Sequence, residues 1–335
     1  MTAALFQPIT LDGLTFPNRI AVAPMCQYSA DDGSASDWHL YHWMNLAMSG
    51  AGMVTVEMTD VERRGRITHG CLGLYSDDNE AAARRTLDAA RRVAAPGTKF
   101  GIQLAHAGRK ASNRKPWEGG GPLRPGEDPW QTVSASAIAY DTGWNVPHAL
   151  EDEEILQLIE RFTEAARRAE RAGFDFLELH AAHGYLIFQF LSPLSNRRTD
   201  RWGGSLENRM RFLLEIAKSV RKAVPNLMLG ARLSVKDWVD GGFTRMTIAP
   251  PPARKRVVTT RVRIPMMPAV ISVSTRPASI RVASIRVVST RAVSMPVARA
   301  AAAVARVVAT AAVTAAVTTD IGGLAGHPKD QLPQM

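Results

Sequence analysis

Five short apolar runs of β type recur along residues 1–243, at 19–24, 52–57, 99–104, 174–179 and 227–233. Between them, 39–48, 79–94, 151–172 and 205–223 carry helical periodicity. In 151–172 the stripe is Ile155, Leu158, Ile159 and Phe162, and Ser205 with Glu207 reads as the cap and acidic first turn of the last helix. Strands that are apolar throughout and alternate with helices predict a parallel sheet covered by helices. No early GxGxxG links a strand to a helix, which disfavours a dinucleotide-binding half-domain. Gly119, Gly120 and Gly121 precede Pro122 and read as loop, like the rest of 111–147. The fold class predicted is therefore α/β, a TIM (β/α)8-type barrel with its first five βα units readable and its chemistry at the carboxyl ends of the strands.

Beyond Phe243 the text changes. Residues 244–319 contain no Gly, Leu, aromatic, Asp, Glu, Asn, Gln or His, and Pro recurs at 250, 251, 252, 265, 268, 277 and 296. A strand–helix unit needs turn residues and capping acids, so this atypical, low-complexity part predicts no packed core. The domain reading is a partial barrel over 1–243 and an Arg/Ala/Val-rich tail over 244–335. The near-absence of residues with adenine at the middle codon position points to a frameshifted reading of a GC-rich gene.

The formal net charge of +10 belongs to that tail, which holds eleven Arg and Lys255 against no acid over 244–319. Setting those aside leaves 29 basic residues against 31 acidic ones, so no specific nucleic-acid partner is expected. Two cysteines, Cys26 and Cys71, are too few for a disulfide scaffold or a four-cysteine iron–sulfur site. The amino terminus lacks a basic and then apolar leader, and no run of about 18 apolar residues occurs. A cytoplasmic location without membrane contact is the expectation.

The densest chemistry lies at HAAHGY, residues 180–185, directly after the fourth run. Two imidazoles three positions apart face opposite ways along a straight strand, so they converge only if the strand ends between them. His180 and His183 could then donate to one anionic oxygen, with Tyr185 as an acid in the same pocket. A structural histidine pair or a zinc site stays open, although zinc usually takes three protein ligands and no third is evident.

That stretch, followed by FLSP at 190–193, Asn196, Arg198, Asp200, GGSLENR at 203–209 and Phe212, closely resembles the signature of Old Yellow Enzyme-type flavin oxidoreductases. PNRI at 17–20, GRIT at 65–68 and QLAHAGRK at 103–110 fall in that family's order and spacing. Met25, Cys26 and Tyr28 resemble the bacterial subclass with a cysteine near the flavin. The resemblance implies FMN as cofactor and NAD(P)H as reductant. It places Ala23, Pro24, Met25 and Cys26 along the flavin, Gln103 at its pyrimidine edge and Arg232 beside its N1. Asp60 falls at a flavin-contacting position where relatives often have Ala. Tyr28, His180 and His183 would hold a small-molecule enone and Tyr185 would protonate it, in a ping-pong reduction of its C=C bond.

No metal is implied, and assembly as a homo-oligomer stays open. The resemblance ends near Gly242 and Phe243, leaving the elements that bind the FMN phosphate unread. Two other functions compete with the enzyme: an inactive truncated or frameshifted product, and a basic tail that binds polyanions nonspecifically.

Overall fold

The computed structural model describes residues 3–243. The expectations for 244–335, including the tail, its polyanion binding and the phosphate site, lie outside the described residues.

The chain opens with a hairpin, β1 (Ile9–Leu11) and β2 (Leu14–Phe16), turned by Asp12 and Gly13, both at positive φ. Asp-Gly suits a two-residue turn in which both central residues are left-handed. Next come β3 (Ala21–Val22), α1 (Asp37–Ala47), β4 (Met53–Asp60), the short β5 (Leu72–Gly73), α2 (Asp77–Val93) and β6 (Lys99–Ala105). A long connection carries β7 (Val133–Ser134) and β8 (His148–Ala149), which pair with each other. It leads to α3 (Asp152–Ala172), β9 (Phe176–Ala181), α4 (Leu186–Leu191), α5 (Leu206–Ala223) and β10 (Met228–Leu233).

The main sheet runs β10-β9-β6-β4-β3, with β5 beside β4, and its pairings are parallel. Strands consecutive in the chain are neighbours in space, with a helix between each pair, as in a (β/α)8 barrel. Four complete strand–helix units and the fifth strand fall within the described residues, matching the five runs and four helical stretches read from sequence. The first strand is shorter than the run 19–24, because the chain leaves the ladder before Ala23 and Pro24.

All eight residues of β4 are buried, as a strand covered on both faces requires. Between sheet and helices lies the main core, with Phe100, Phe162, Phe190, Trp202 and Phe212 among its largest members. Two smaller clusters occupy the two ends of the strands. Phe16 packs with Met53, Phe176 and Met228 at the amino ends, so the hairpin covers that end of the arc. At the carboxyl ends Met58, Cys71, Ala105 and Ala107 pack with Cys26, Tyr28, Trp130 and Tyr185. Among the described residues no helix is long and apolar enough to cross a membrane.

Candidate active site

The long strands of the arc each deliver a polar side chain near the carboxyl end, and β3 leads into a loop that bears a thiol. Ala23, Pro24, Met25 and Cys26 follow β3, Asp60 closes β4, Gln103 lies on β6, His180 on β9 and Arg232 on β10. Parallel register sets Arg232 opposite His180 and Gln103 opposite Glu178. The Gln103 amide donates to Glu178 Oε1 at 2.6 Å, inside the protein. Its carbonyl oxygen and second N–H are further hydrogen-bonding capacity on the same side chain.

β9 ends at Ala181, and the chain then reverses through His183 and Gly184, at φ 56° and 72°. The reversal brings the two imidazoles together, with ring centroids 5.0 Å apart and planes at 85°. The Tyr185 ring lies 4.9 Å from His180 and 6.4 Å from His183. The buried Gln189 amide holds this turn by donating to the carbonyls of Gly184 and Ala107 and accepting from Arg109 N–H and Ser134 Oγ. Gly108 is needed beside it: its φ is +62°, and a Cβ there would collide with the Gln189 amide.

Hydrogen bonding assigns the tautomer of His180. Its Nδ1 accepts from Ala182 N–H at 3.3 Å, so in the neutral ring the proton sits on Nε2. Burial holds the imidazole well below its ordinary pKa, and the charges of His183, Arg232 and Lys110 add to this, so the ring is a neutral N–H donor. Tyr185 is shifted the other way: burial first, then Cys26 and Tyr28, push its phenol well above the usual range and keep its proton in place. The Cys26 thiol is likewise raised by burial and by Cys71, and Cys71 is pushed up to about 12 by burial and Asp60. Both sulfurs are therefore neutral, polarisable walls rather than thiolates.

Tyr28 sits at φ 52° and packs with Cys26 in the carboxyl-end cluster, and its ring meets Trp117 edge-on at 5.8 Å. Met25 is half-exposed. Trp130 joins the apolar cluster and donates to Arg64 C=O, whereas Trp144 packs on Tyr140. Asp60 is 0% exposed, and neither carboxyl oxygen has a hydrogen-bond partner among the described residues.

Three contributors carried no signal of their own in the sequence pattern. Lys110 Nζ lies 5.0 Å from the Tyr185 ring centroid and donates to His183 C=O at 3.1 Å. Glu178 anchors Gln103. Glu57 Oε1 accepts from Gln27 N–H at 3.0 Å and so fixes the loop that bears Cys26 and Tyr28. Strand alternation could have found Glu178, which is two residues before His180 and faces the same side.

A sequence model of the NADH:flavin oxidoreductase / NADH oxidase family matches residues 4–300. An NADH:flavin oxidoreductase of Gibberella zeae is 47% identical over 241 residues, covering 70% of this chain and 58% of the relative. The NADPH dehydrogenase of Bacillus subtilis is 43% identical over 246 residues, covering 72% and 67%. Among solved structures, morphinone reductase superposes with a TM-score of 0.64 at 30% identity, over 73% of this chain and 66% of that one. An old yellow enzyme homologue from Zymomonas mobilis superposes with a TM-score of 0.61 at 29% identity, over 73% and 67%. The chain thus spans between 58% and about two thirds of the length of these proteins.

Proposed function

The chain belongs to the NADH:flavin oxidoreductase / NADH oxidase family, and from that premise we propose that it is an FMN-dependent NAD(P)H oxidoreductase that reduces the C=C bond of α,β-unsaturated carbonyl compounds in a ping-pong cycle. The observation that carries this reading is the convergence of His180, His183 and Tyr185 beside Arg232 and Cys26, at the carboxyl ends of the strands.

The side chains present suit a flavin ring system. They offer a buried carboxyl without partners at Asp60, an amide with spare donor and acceptor capacity at Gln103, a cation at Arg232 and neutral thiols. Residues that would hold the phosphate fall outside the described residues. FMN, when bound, supplies the redox chemistry, accepting a hydride from NAD(P)H and passing it to the alkene.

The chain's own residues do the rest. His180 presents Nε2–H, and His183 faces the same space, so both can donate to the carbonyl oxygen of an enone. Negative charge builds on that oxygen as the β-carbon receives hydride, and fixed donors in a dry site stabilise it without reorganising. A neutral His180 suits this role, because it donates without giving up a proton. Tyr185 retains its proton at neutral pH and transfers it to the α-carbon, which completes the saturated carbonyl compound. Lys110 lies over the Tyr185 ring and stabilises the phenolate left behind until a proton returns from solvent. Arg232 places positive charge where reduction adds negative charge.

The test is spectroscopic. The purified chain, incubated with FMN and desalted, should show flavin absorption near about 450 nm. NAD(P)H without oxygen should bleach it and 2-cyclohexenone should restore it. Tyr185→Phe should still bleach, with restoration slowed by about 10²- to 10⁴-fold, the usual contribution of one general acid. A chain that takes up FMN and is bleached, but is never restored by enones, would remove the substrate assignment and leave the flavin reading intact.

A further inference from the structure

Asp60 is the last residue of β4, opposite Ala105 of β6 and Gly73 of β5. Its backbone is paired, with its carbonyl accepting from Leu74 N–H at 2.9 Å. Its side chain is not: Oδ1 and Oδ2 are both fully buried and both lack a hydrogen-bond partner among the described residues. A buried polar group left unmade costs about 1–3 kcal/mol, and native structures hold few of them. Two orphaned oxygens on one side chain, at the face where barrel enzymes work, leave a buried carboxyl that no described residue satisfies.

The groups around it define its chemistry. Glu57 lies on the same strand. Cys26 reaches it from the loop after β3, Glu62, Arg66, Cys71 and Tyr75 from the segment after β4, and Tyr185 from beyond β9. His106, after β6, is tied to Glu62 at 2.9 Å. Arg66 is the cation that reaches Asp60, and its own N–H groups are bonded to Asp32 Oδ1 and to the Arg63 and His69 carbonyls. Burial outweighs Arg66, and Glu62 and Glu57 add repulsion, so the carboxyl stands well above its ordinary range and its neutral, protonated form is favoured. A protonated carboxyl has one O–H to donate.

We propose that Asp60 tunes the bound flavin: its carboxyl O–H donates a hydrogen bond to an electron-rich acceptor of the ring system, so that the chain holds reduced FMN more tightly than an alanine at this place would. The inference rests on the flavin reading above. Reduction adds electron density to the ring, so a neutral donor stabilises the reduced form more than the oxidised one and moves the midpoint potential to less negative values. An ionised Asp60 would reverse the sign by placing negative charge beside a ring that gains it. A tenfold preference for the reduced over the oxidised ring corresponds to about 30 mV for this two-electron couple.

The experiment is the midpoint potential of the FMN-loaded chain, by dye equilibration from about pH 6 to about pH 9, for wild type, Asp60→Ala and Asp60→Asn. Wild type should be less negative than Asp60→Ala at the acid end. That gap should narrow, and not widen, as the pH rises, because loss of the proton would place negative charge beside the ring. Asp60→Asn should keep a gap of constant sign, since its amide N–H donates at every pH. Wild-type and alanine potentials that coincide and run parallel throughout would overturn the tuning role while the flavin reading stands. A chain that takes up no FMN would overturn the flavin reading, and this inference with it.

Discussion

At the scale of single residues, two buried groups give the fold opposite responses to pH. His180 is held below its ordinary value of 6.5. The unfolded chain therefore binds the extra proton first, and the stability that a neutral His180 allows is present above about pH 6.5 and lost as the pH falls. Asp60 is raised above 3.8. There the native state keeps a proton that the unfolded chain releases, so the stability this group contributes is fully present below about pH 3.9 and declines as the pH rises towards the folded value. Asp60→Ala should accordingly melt higher than wild type at about pH 8, with the gain shrinking towards about pH 4; calorimetry across that range reads it directly. A lower melting temperature for the alanine form at both ends would show that the carboxyl is satisfied within the protein. The histidine pair and Tyr185 were legible in the sequence because a strand end must fall between the two imidazoles. Asp60 was legible as a position only; its isolation depends on packing from four separate segments, which no local pattern records. Lys110 closes the QLAHAGRK motif, yet its place over Tyr185 arises from a contact between loops 75 residues apart in the chain.

Among elements, the helices were the most readable. Period, cap and acidic first turn agree in α5, where Ser205 Oγ accepts from Asn208 N–H at 3.2 Å. Ser205→Ala should cost about 1 kcal/mol. For a unit of this size that is a fall of about 2–4 °C in melting temperature, visible by circular dichroism. An unchanged melting temperature would mean that α5 is held by its packing on α3 alone. Strand ends fall within a few residues of the apolar runs, and β3 is the exception because its run continues into loop. The β1–β2 hairpin lay outside the strand–helix alternation, although Asp12 and Gly13 between alternating residues is a strong short-range signal. α4 carried no readable signal: its six residues are all buried, so it has no polar face to give a period.

For the molecule as a whole, the arc of parallel strands sets a gradient of protection. β6 is hydrogen-bonded on both sides, to β4 and to β9, whereas within the described residues β3 pairs with β4 alone and β10 with β9 alone. Native-state hydrogen exchange should therefore find the slowest amides on β6 and progressively faster ones towards β3 and β10. Equal protection on β10 and β6 would show that a further strand closes that edge. The arc was legible in the sequence because each strand is apolar throughout and each is followed by a helix.

The hairpin beneath the strands has a consequence for how the chain is made. Asp12 is joined to Arg221 at 2.6 Å, across 209 positions of sequence, and Phe16 finds its aromatic neighbour at Phe176. A ribosome adding about 5–20 residues per second would need roughly 10–40 seconds to travel from the first of those charged residues to the second. During that interval the hairpin waits for its final neighbours. The nascent chain thus carries an apolar hairpin in the open while the strands and helices up to α5 are added, a span in which chaperones that grip emerging hydrophobic segments have time to act.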